Sequence, residues 1–121
     1  MTSDKTPSGT DIADVPMMQV THDHLLNEAV KITQPSDGYR VGSDAVLLAA
    51  SVGTITGRVL DMGAGVGGVC LCLARRLAEL QITAVEKNAD MAALCSENAV
   101  QNGLQNRIRV LPADIREMPP C

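Results

Sequence analysis

Aromatic residues are almost missing from this chain of 121 residues, which has no Trp, no Phe and one Tyr. The core of one small domain must therefore be packed from aliphatic residues and Met, which fits a hydrophobic content of 45%. An excess of positive charge is missing too, because 10 Lys and Arg stand against 14 Asp and Glu. A net charge of -4 gives no field that attracts phosphate backbones, so we expect no strong RNA or DNA binding by this chain alone.

The sequence also lacks the patterns of a membrane span, a secretory signal and a metal site. No apolar run reaches about 18 residues, and the start "MTSDKTPSGTD" is not a basic segment followed by an apolar one. We therefore expect a cytoplasmic protein with no membrane partner. The four cysteines form no Cys-x-x-Cys pair, so we expect no bound metal and no disulfide framework. Cys70, Cys72 and Cys95 are interpreted as reduced, small apolar residues.

The pattern of apolar residues divides the chain into three parts. Residues 1–16 are rich in polar residues, Pro and Gly, which predicts a disordered tail. Residues 17–57 contain a predicted short strand over 27–34, with Val30 and Ile32 on one face and Lys31 and Thr33 on the other. A helix follows the turn at 35–40. Because this helix is apolar almost all round, we expect it to be buried.

Strands and helices alternate in the third part, residues 58–121. The strand "RVLD" leads through a glycine loop into the helix "VCLCLARRLAEL". The strand "QITAVE" precedes a second helix with Asn88 at its N-cap and Gly103 after its end, and "RIRVLPAD" is a third strand. This alternation predicts an α/β fold with about three parallel strands and flanking helices. If the order is 3-2-1, the first strand is an exposed edge through which the chain is expected to self-associate.

The glycine loop follows the first of these strands. A glycine-rich turn before a helix lets the backbone approach a ligand and presents free N–H groups to it, which suits a nucleotide. The spacing Gly63-x-Gly65-x-x-Gly68 satisfies the dinucleotide pattern, and Gly63-x-Gly65-x-Gly67 satisfies another. Neither match alone decides the ligand. A P-loop is excluded, because no Lys-Ser or Lys-Thr follows the glycines.

An acidic residue stands at the end of each of the three strands: Asp61, Glu86 and Asp114. Glu86 suits the hydroxyls of a ribose in any adenosine ligand. Asp61 disfavours NAD, because a carboxylate repels a pyrophosphate and attracts a cationic group. S-adenosylmethionine has ammonium and sulfonium charges and no pyrophosphate. The sequence therefore favours a site for S-adenosylmethionine over an NAD site, with Asp114 placed to meet the adenine.

These segments resemble the class I, Rossmann-like S-adenosylmethionine-dependent methyltransferases, from about Leu25 to the end of the chain. "VLDMGAGVG", "AVEKN" and "LPADI" are similar to the first, second and third motifs of that family. "QPSDGYRVGSDAVLLAA" is similar to the segment before the first motif in a small-domain group that includes the tRNA(Val) adenine-N6 methyltransferases.

The resemblance implies a role for six residues. Asp61, Gly63 and Gly65 would line the methionine end of the cofactor. Glu86 would bind the ribose hydroxyls, and Asp114 would bond the adenine amino group with Ile115 beside the ring. Two interpretations stay open for Arg40, Ser43 and Asp44. They either close over the carboxylate or the ammonium group of the methionine, or they cap the helix that follows.

One motif of this group is missing. Its members place Asn-Pro-Pro-aromatic after a fourth strand, whereas this chain ends in "REMPPC". The resemblance therefore covers the N-terminal, cofactor-binding portion and implies no catalytic residue in this chain, which is expected to be inactive alone. The expected full-length enzyme methylates the amino group of an RNA (tRNA) adenine, with ribosomal guanine, protein glutamine or a small molecule as other acceptors. A non-catalytic binding module or truncated product is the alternative, and an NAD-binding domain is less favoured.

Overall fold

The computed structural model describes residues 18–38 and 40–117, so the predicted tail over 1–16 and Cys121 lie outside the described residues. The division of the chain at residues 17–57 and 58–121 stays a prediction. In chain order the elements are β1 (Val20–Leu25), β2 (Val30–Pro35), α1 (Ser43–Ser51), β3 (Gly57–Met62), α2 (Gly68–Arg76), β4 (Leu80–Val85), α3 (Ala89–Gln101), β5 (Ile108–Leu111) and a 3-10 turn (Ile115–Glu117).

Three parallel strands form the main sheet in the order β3-β4-β5. The predicted α/β class with three parallel strands is therefore confirmed. Asp61 of β3 lies opposite Ala84 of β4, which lies opposite Val110 of β5. Within the described ranges β3 pairs with β4 alone, so it is an edge strand, as the order 3-2-1 predicted. Leu60 and Met62 of this strand are exposed.

The core lies between the sheet and the two helices that follow β3 and β4. Leu71 of α2 and Ile82 of β4 are fully or almost fully buried, as expected for an aliphatic core. Cys70, Cys72 and Cys95 are buried free thiols, in agreement with their interpretation as small apolar residues. Burial raises the pKa of Cys72 to about 11, which keeps this thiol neutral.

The sequence predicted one strand before α1, but the structure has the antiparallel hairpin β1–β2. β1 was missed because its residues are mostly exposed or half-buried and polar. The predicted strand over 27–34 begins later, at Val30, because Leu26, Asn27 and Glu28 have positive φ angles of 51, 52 and 74° in the turn. Thr33, which was assigned with Lys31 to the face opposite Val30 and Ile32, is buried at 8% exposure, whereas Lys31 is exposed.

Two asparagines, Asn98 in α3 and Asn102 at its C-cap, bind the backbone of β2. The Asn98 side chain accepts a hydrogen bond from Thr33 N at 2.8 Å and donates one to Thr33 O at 2.9 Å. The Asn102 side chain accepts a hydrogen bond from Lys31 N at 2.8 Å and donates one to Lys31 O at 2.7 Å. The spacings match, because four helical residues rise about 6 Å and two strand residues about 6.7 Å. The side-chain amides of α3 thus pair with the edge of β2 as a neighbouring strand would.

The prediction that α1 is buried all round was wrong. Ala45 and Ala49 are buried, but Leu47 and Leu48 are 69% and 57% exposed. The helix packs against α2 through one face, and residues four apart lie on that face while the two leucines lie on another. Among the described residues, no helix has the length and apolar character needed to cross a membrane.

Candidate functional site

The glycine loop lies across the carboxyl ends of β3 and β4. Gly63 N and Ala64 N both donate to Val85 O, at 2.8 and 2.9 Å, which fixes the start of the loop above β4. α2 begins at Gly68, with Gly67 as its N-cap. The loop therefore places the N-terminus of a helix at the edge of the sheet where the three predicted acids follow their strands.

The glycines of this loop have different roles. A Cβ built on Gly68 would lie 2.5 Å from Val41 Cγ1 and 3.2 Å from Ala45 Cβ. Gly68 is therefore required for close packing against the segment that enters α1. A Cβ built on Gly63 or Gly65 would meet nothing within 4 Å, so these two positions face open space. Gly63 and Gly65 are the glycines that a ligand can approach.

Asp61 lies near the end of β3, two residues before Gly63. Its Oδ2 atom is buried and has no hydrogen-bond partner in the part of the chain that the structure describes. Burial raises the pKa of Asp61 above its ordinary value, and the nearby charge of Glu86 raises it further. Asp61 is thus a half-buried carboxylate held close to another acid.

Glu86 follows β4 and joins two segments through its carboxylate. Oε1 accepts a hydrogen bond from Gly65 N at 2.8 Å, and Oε2 accepts one from Asn88 N at 2.9 Å. Asn88 caps α3 as predicted, because its side chain accepts from Asp90 N and Met91 N. Since each carboxylate oxygen has two lone pairs, Glu86 keeps acceptor capacity for a ligand.

Asp114 lies after β5, where Arg116 engages it. Its Oδ2 lies 2.7 Å from Arg116 Nη2, and its Oδ1 accepts from Arg116 N at 2.9 Å. The hydrogen bonds from Arg116 lower the pKa of Asp114, so the carboxylate is charged at neutral pH. Ile115, the next residue, is 44% exposed. No cluster of His, Cys, Asp and Glu suited to a metal ion is found in residues 18–38 and 40–117.

Two cavities meet at Gly63. The first, of about 460 Å³, is lined by Gly63, Val85, Glu86, Lys87, Ala113, Asp114, Ile115 and Arg116. It brings together four of the six residues predicted from the sequence. The second cavity, of about 580 Å³, lies between the loop, the end of β2 and α1, and Gly63 and Gly65 line it with Asp37 and Asp44. Asp61 lines neither of these two cavities. Both volumes fall in the range of small-molecule sites, about 300 to 1,000 Å³.

The segment before α1 settles one of the two interpretations left open for Arg40, Ser43 and Asp44. Gly42 is the N-cap of α1, and no side chain caps the helix there. Asp44 Oδ1 instead accepts from Gly42 N at 3.2 Å. Arg40 donates to Asp23 Oδ2 at 2.9 Å and to Pro35 O at 3.2 Å, so it ties this segment to the hairpin. The capping interpretation was wrong, because no side chain of the described residues caps α1 at Gly42. Contact with a ligand stays a prediction for Arg40, Ser43 and Asp44, of which Asp44 lines the larger cavity.

The sequence did not reveal that Gln34 supports this cavity. Gln34 is 1% exposed. Its Oε1 accepts from Val41 N at 2.7 Å, and its Nε2 donates to Asp23 Oδ2 at 3.0 Å. Gln34 thereby fixes Val41, the residue that packs against Gly68. A polar residue at the end of an apolar alternation was the only signal in the sequence.

Comparisons with known proteins agree with this geometry. Residues 59–121, more than half of the chain, match the family model described as "Methyltransferase domain". The tRNA1(Val) (adenine(37)-N6)-methyltransferase of Klebsiella pneumoniae (strain 342) is 42% identical over 84 residues, which cover 67% of this chain and 34% of that protein. The counterpart from Pedobacter heparinus is 32% identical over 91 residues, 74% of this chain and 39% of that protein. The chain thus spans little more than a third of the length of these relatives.

Solved structures show the same fold at low sequence identity. P. horikoshii TYW2 in complex with MeSAdo gives a TM-score of 0.70 at 23% identity, over 87% of this chain and 40% of that one. A SAM-dependent methyltransferase from Agrobacterium tumefaciens gives a TM-score of 0.58 at 19% identity, over 84% of this chain and 34% of that one. The parallel sheet, the glycine loop and the family match lead to one conclusion: the chain belongs to the methyltransferase domain family and has its Rossmann-like fold.

Proposed function

We propose that this chain binds S-adenosylmethionine across the carboxyl ends of β3, β4 and β5, as the cofactor-binding part of an N-methyltransferase. The observation that carries the proposal is the cavity of about 460 Å³ in which Glu86, Asp114 and Ile115 meet Gly63. Two carboxylates and an exposed apolar side chain suit an adenosine, which offers ribose hydroxyls, an amino group and a flat ring.

Each residue has a distinct part in this proposal. Glu86 accepts hydrogen bonds from the ribose hydroxyls while it holds Gly65 N. Arg116 does not use every lone pair of the Asp114 carboxylate, so Asp114 can still accept a hydrogen bond from the adenine amino group. Ile115 packs on the adenine ring. The open space at Gly63 and Gly65 admits the methionine end.

The charge of Asp61 supports a cationic ligand over a pyrophosphate. Its Oδ2 is buried, has no hydrogen-bond partner within residues 18–38 and 40–117, and the negative charge of Glu86 is nearby. A ligand that brings an ammonium group and a sulfonium lowers the energy of this pair, whereas a pyrophosphate raises it. The residues present therefore fit S-adenosylmethionine, which supplies an electrophilic methyl group when it is bound.

For the whole protein we propose methyl transfer to the amino group of an adenine in tRNA, in the cytoplasm. The proposal is supported by the relatives, which are named tRNA1(Val) (adenine(37)-N6)-methyltransferases. The part of this chain is to bind and orient the cofactor. We assign no catalytic residue to it and expect no methyl transfer by this chain alone. Methyl transfer to unmodified tRNA by the longer protein, compared with ribosomal RNA as acceptor, tests the substrate.

Calorimetric titration tests the cofactor. We expect S-adenosylhomocysteine to bind the chain and NADH to give no heat of binding. Asp61→Asn should weaken the binding of S-adenosylhomocysteine, whereas Glu79→Gln, which removes an exposed acid, should leave it unchanged. Binding of NADH alone would overturn the argument from Asp61, and binding of neither ligand would remove the site assignment.

A further inference from the structure

We propose that Asn98 is a positioning residue of the cofactor site, because its side-chain amide ties the glycine loop to the N-terminal hairpin. The expected effect of Asn98 on cofactor affinity rests on the proposed function. The claim that Asn98 fixes the glycine loop does not depend on any ligand.

Asn98 is fully buried, and its amide uses its whole hydrogen-bonding capacity. Oδ1 accepts from Thr33 N at 2.8 Å and from Gln101 Nε2 at 3.1 Å. Nδ2 donates to Thr33 O at 2.9 Å and to Val66 O, also at 2.9 Å. One side chain of α3 thus bonds a strand of the hairpin and the glycine loop at the same time. Because the group is buried, water cannot replace it without a rearrangement.

Two partners of Asn98, Val66 and Thr33, connect it to the larger cavity. Val66 lines that cavity directly, and Pro35, two residues after Thr33 in β2, lines it from the hairpin. The main sheet does not connect the hairpin to the glycine loop, because β1 and β2 form a separate sheet. The Asn98 amide therefore helps to set the spacing between the loop and the hairpin. A change in this spacing moves Gly63 and Gly65, the positions that a ligand can approach.

Asn102, the C-cap residue of α3, provides a matched control. Its amide makes the same pair of hydrogen bonds with the β2 backbone, to Lys31 N and Lys31 O. Its side chain also donates to Asn98 O in the last turn of α3, at 2.7 Å. Loss of either asparagine weakens the docking of β2 on α3, but only loss of Asn98 frees Val66 O. A purely structural role predicts similar effects of the two substitutions on the site.

The test compares Asn98→Ala with Asn102→Ala, each at a temperature where circular dichroism shows a folded protein. In the absence of ligand, we expect the Gly67 amide, which donates to Ala64 O at 3.0 Å, to exchange with solvent faster in Asn98→Ala alone. We expect the Kd for S-adenosylhomocysteine to rise about tenfold in Asn98→Ala and less than about twofold in Asn102→Ala. Equal exchange and equal Kd in the two variants would overturn the proposal.

A measurement on the wild-type protein covers the case in which Asn98→Ala does not fold. The side-chain amide protons of Asn98 should exchange more slowly than those of Asn102, and S-adenosylhomocysteine should slow them further. The same rate for both amides would contradict the proposal. If the wild-type protein binds no S-adenosylhomocysteine, the proposed function fails, while the exchange of the Gly67 amide still decides whether Asn98 fixes the loop.

Discussion

Replacing Asp61 by Asn removes a negative charge from the end of β3 and keeps the shape of the side chain. The carboxylate has a buried Oδ2 without a hydrogen-bond partner among the described residues, and Glu86 is near enough to raise its pKa. A buried polar group left without a partner costs about 1 to 3 kcal/mol. An Asn side chain keeps buried polar atoms at this position but carries no charge, so it costs less to bury and is not repelled by Glu86. We therefore expect Asp61→Asn to raise the free energy of unfolding by about 1 kcal/mol.

The pH dependence identifies the cause of this gain. The folded-state pKa of Asp61 is raised above 3.8, so the folded protein binds the proton more tightly than the unfolded chain does. At a pH above the folded-state pKa, the Asp61 carboxylate is charged and its full destabilising effect on the folded protein is present. As the pH falls through that pKa toward 3.8, the carboxylate takes up a proton and the destabilisation is lost. Asp23 and Asp114, whose pKa values are lowered, contribute with the opposite sign, but equally in both proteins.

Urea unfolding of the wild type and Asp61→Asn between pH 4 and pH 8 measures the difference directly. The variant should be more stable at pH 8, and the difference should shrink toward pH 4. The variant should also bind S-adenosylhomocysteine about tenfold more weakly, because a negative charge that attracts the ligand's ammonium group is lost. A variant that is less stable at pH 8, or a difference that does not depend on pH, would refute the reasoning.

Three further substitutions test other parts of the structure. Glu86→Ala should weaken the binding of S-adenosylhomocysteine by about 1 to 3 kcal/mol in calorimetry, since a charged acceptor of hydrogen bonds is lost. Gly68→Ala should destabilise the protein by about 1 to 3 kcal/mol in urea unfolding, because its Cβ would lie 2.5 Å from Val41 Cγ1, whereas Gly53→Ala, with nothing within 4 Å, should be close to neutral. Leu60→Lys, on the exposed edge strand, should reduce concentration-dependent self-association in sedimentation equilibrium, and an unchanged association constant would exclude that edge as the contact.

The sequence was informative where function depends on neighbouring residues and on strand ends. Parallel strands align their carboxyl ends, so the acids that follow them could be placed together without coordinates, and Glu86 and Asp114 do line one cavity. The support of the site could not be predicted in this way. Asn98 bonds Thr33, 65 residues away, and no local pattern distinguishes this asparagine from a solvent-exposed one. The exposure of Leu47 and Leu48 was missed because a continuous apolar helix does not indicate which of its faces is covered.

Asp61 and Asn98 act on the same loop with opposite effects on stability. Asp61 destabilises the loop region through an unpartnered charge near Glu86, and Glu86 offsets part of this through its bonds to Gly65 N and Asn88 N. The buried amide of Asn98 holds the same loop by donating a hydrogen bond to Val66 O. Loss of Asp61 should therefore raise stability and lower affinity, loss of Asn98 should lower both, and loss of Asn102 should lower stability alone. Because general destabilisation cannot produce three different combinations, this pattern separates a cofactor site from a structural network.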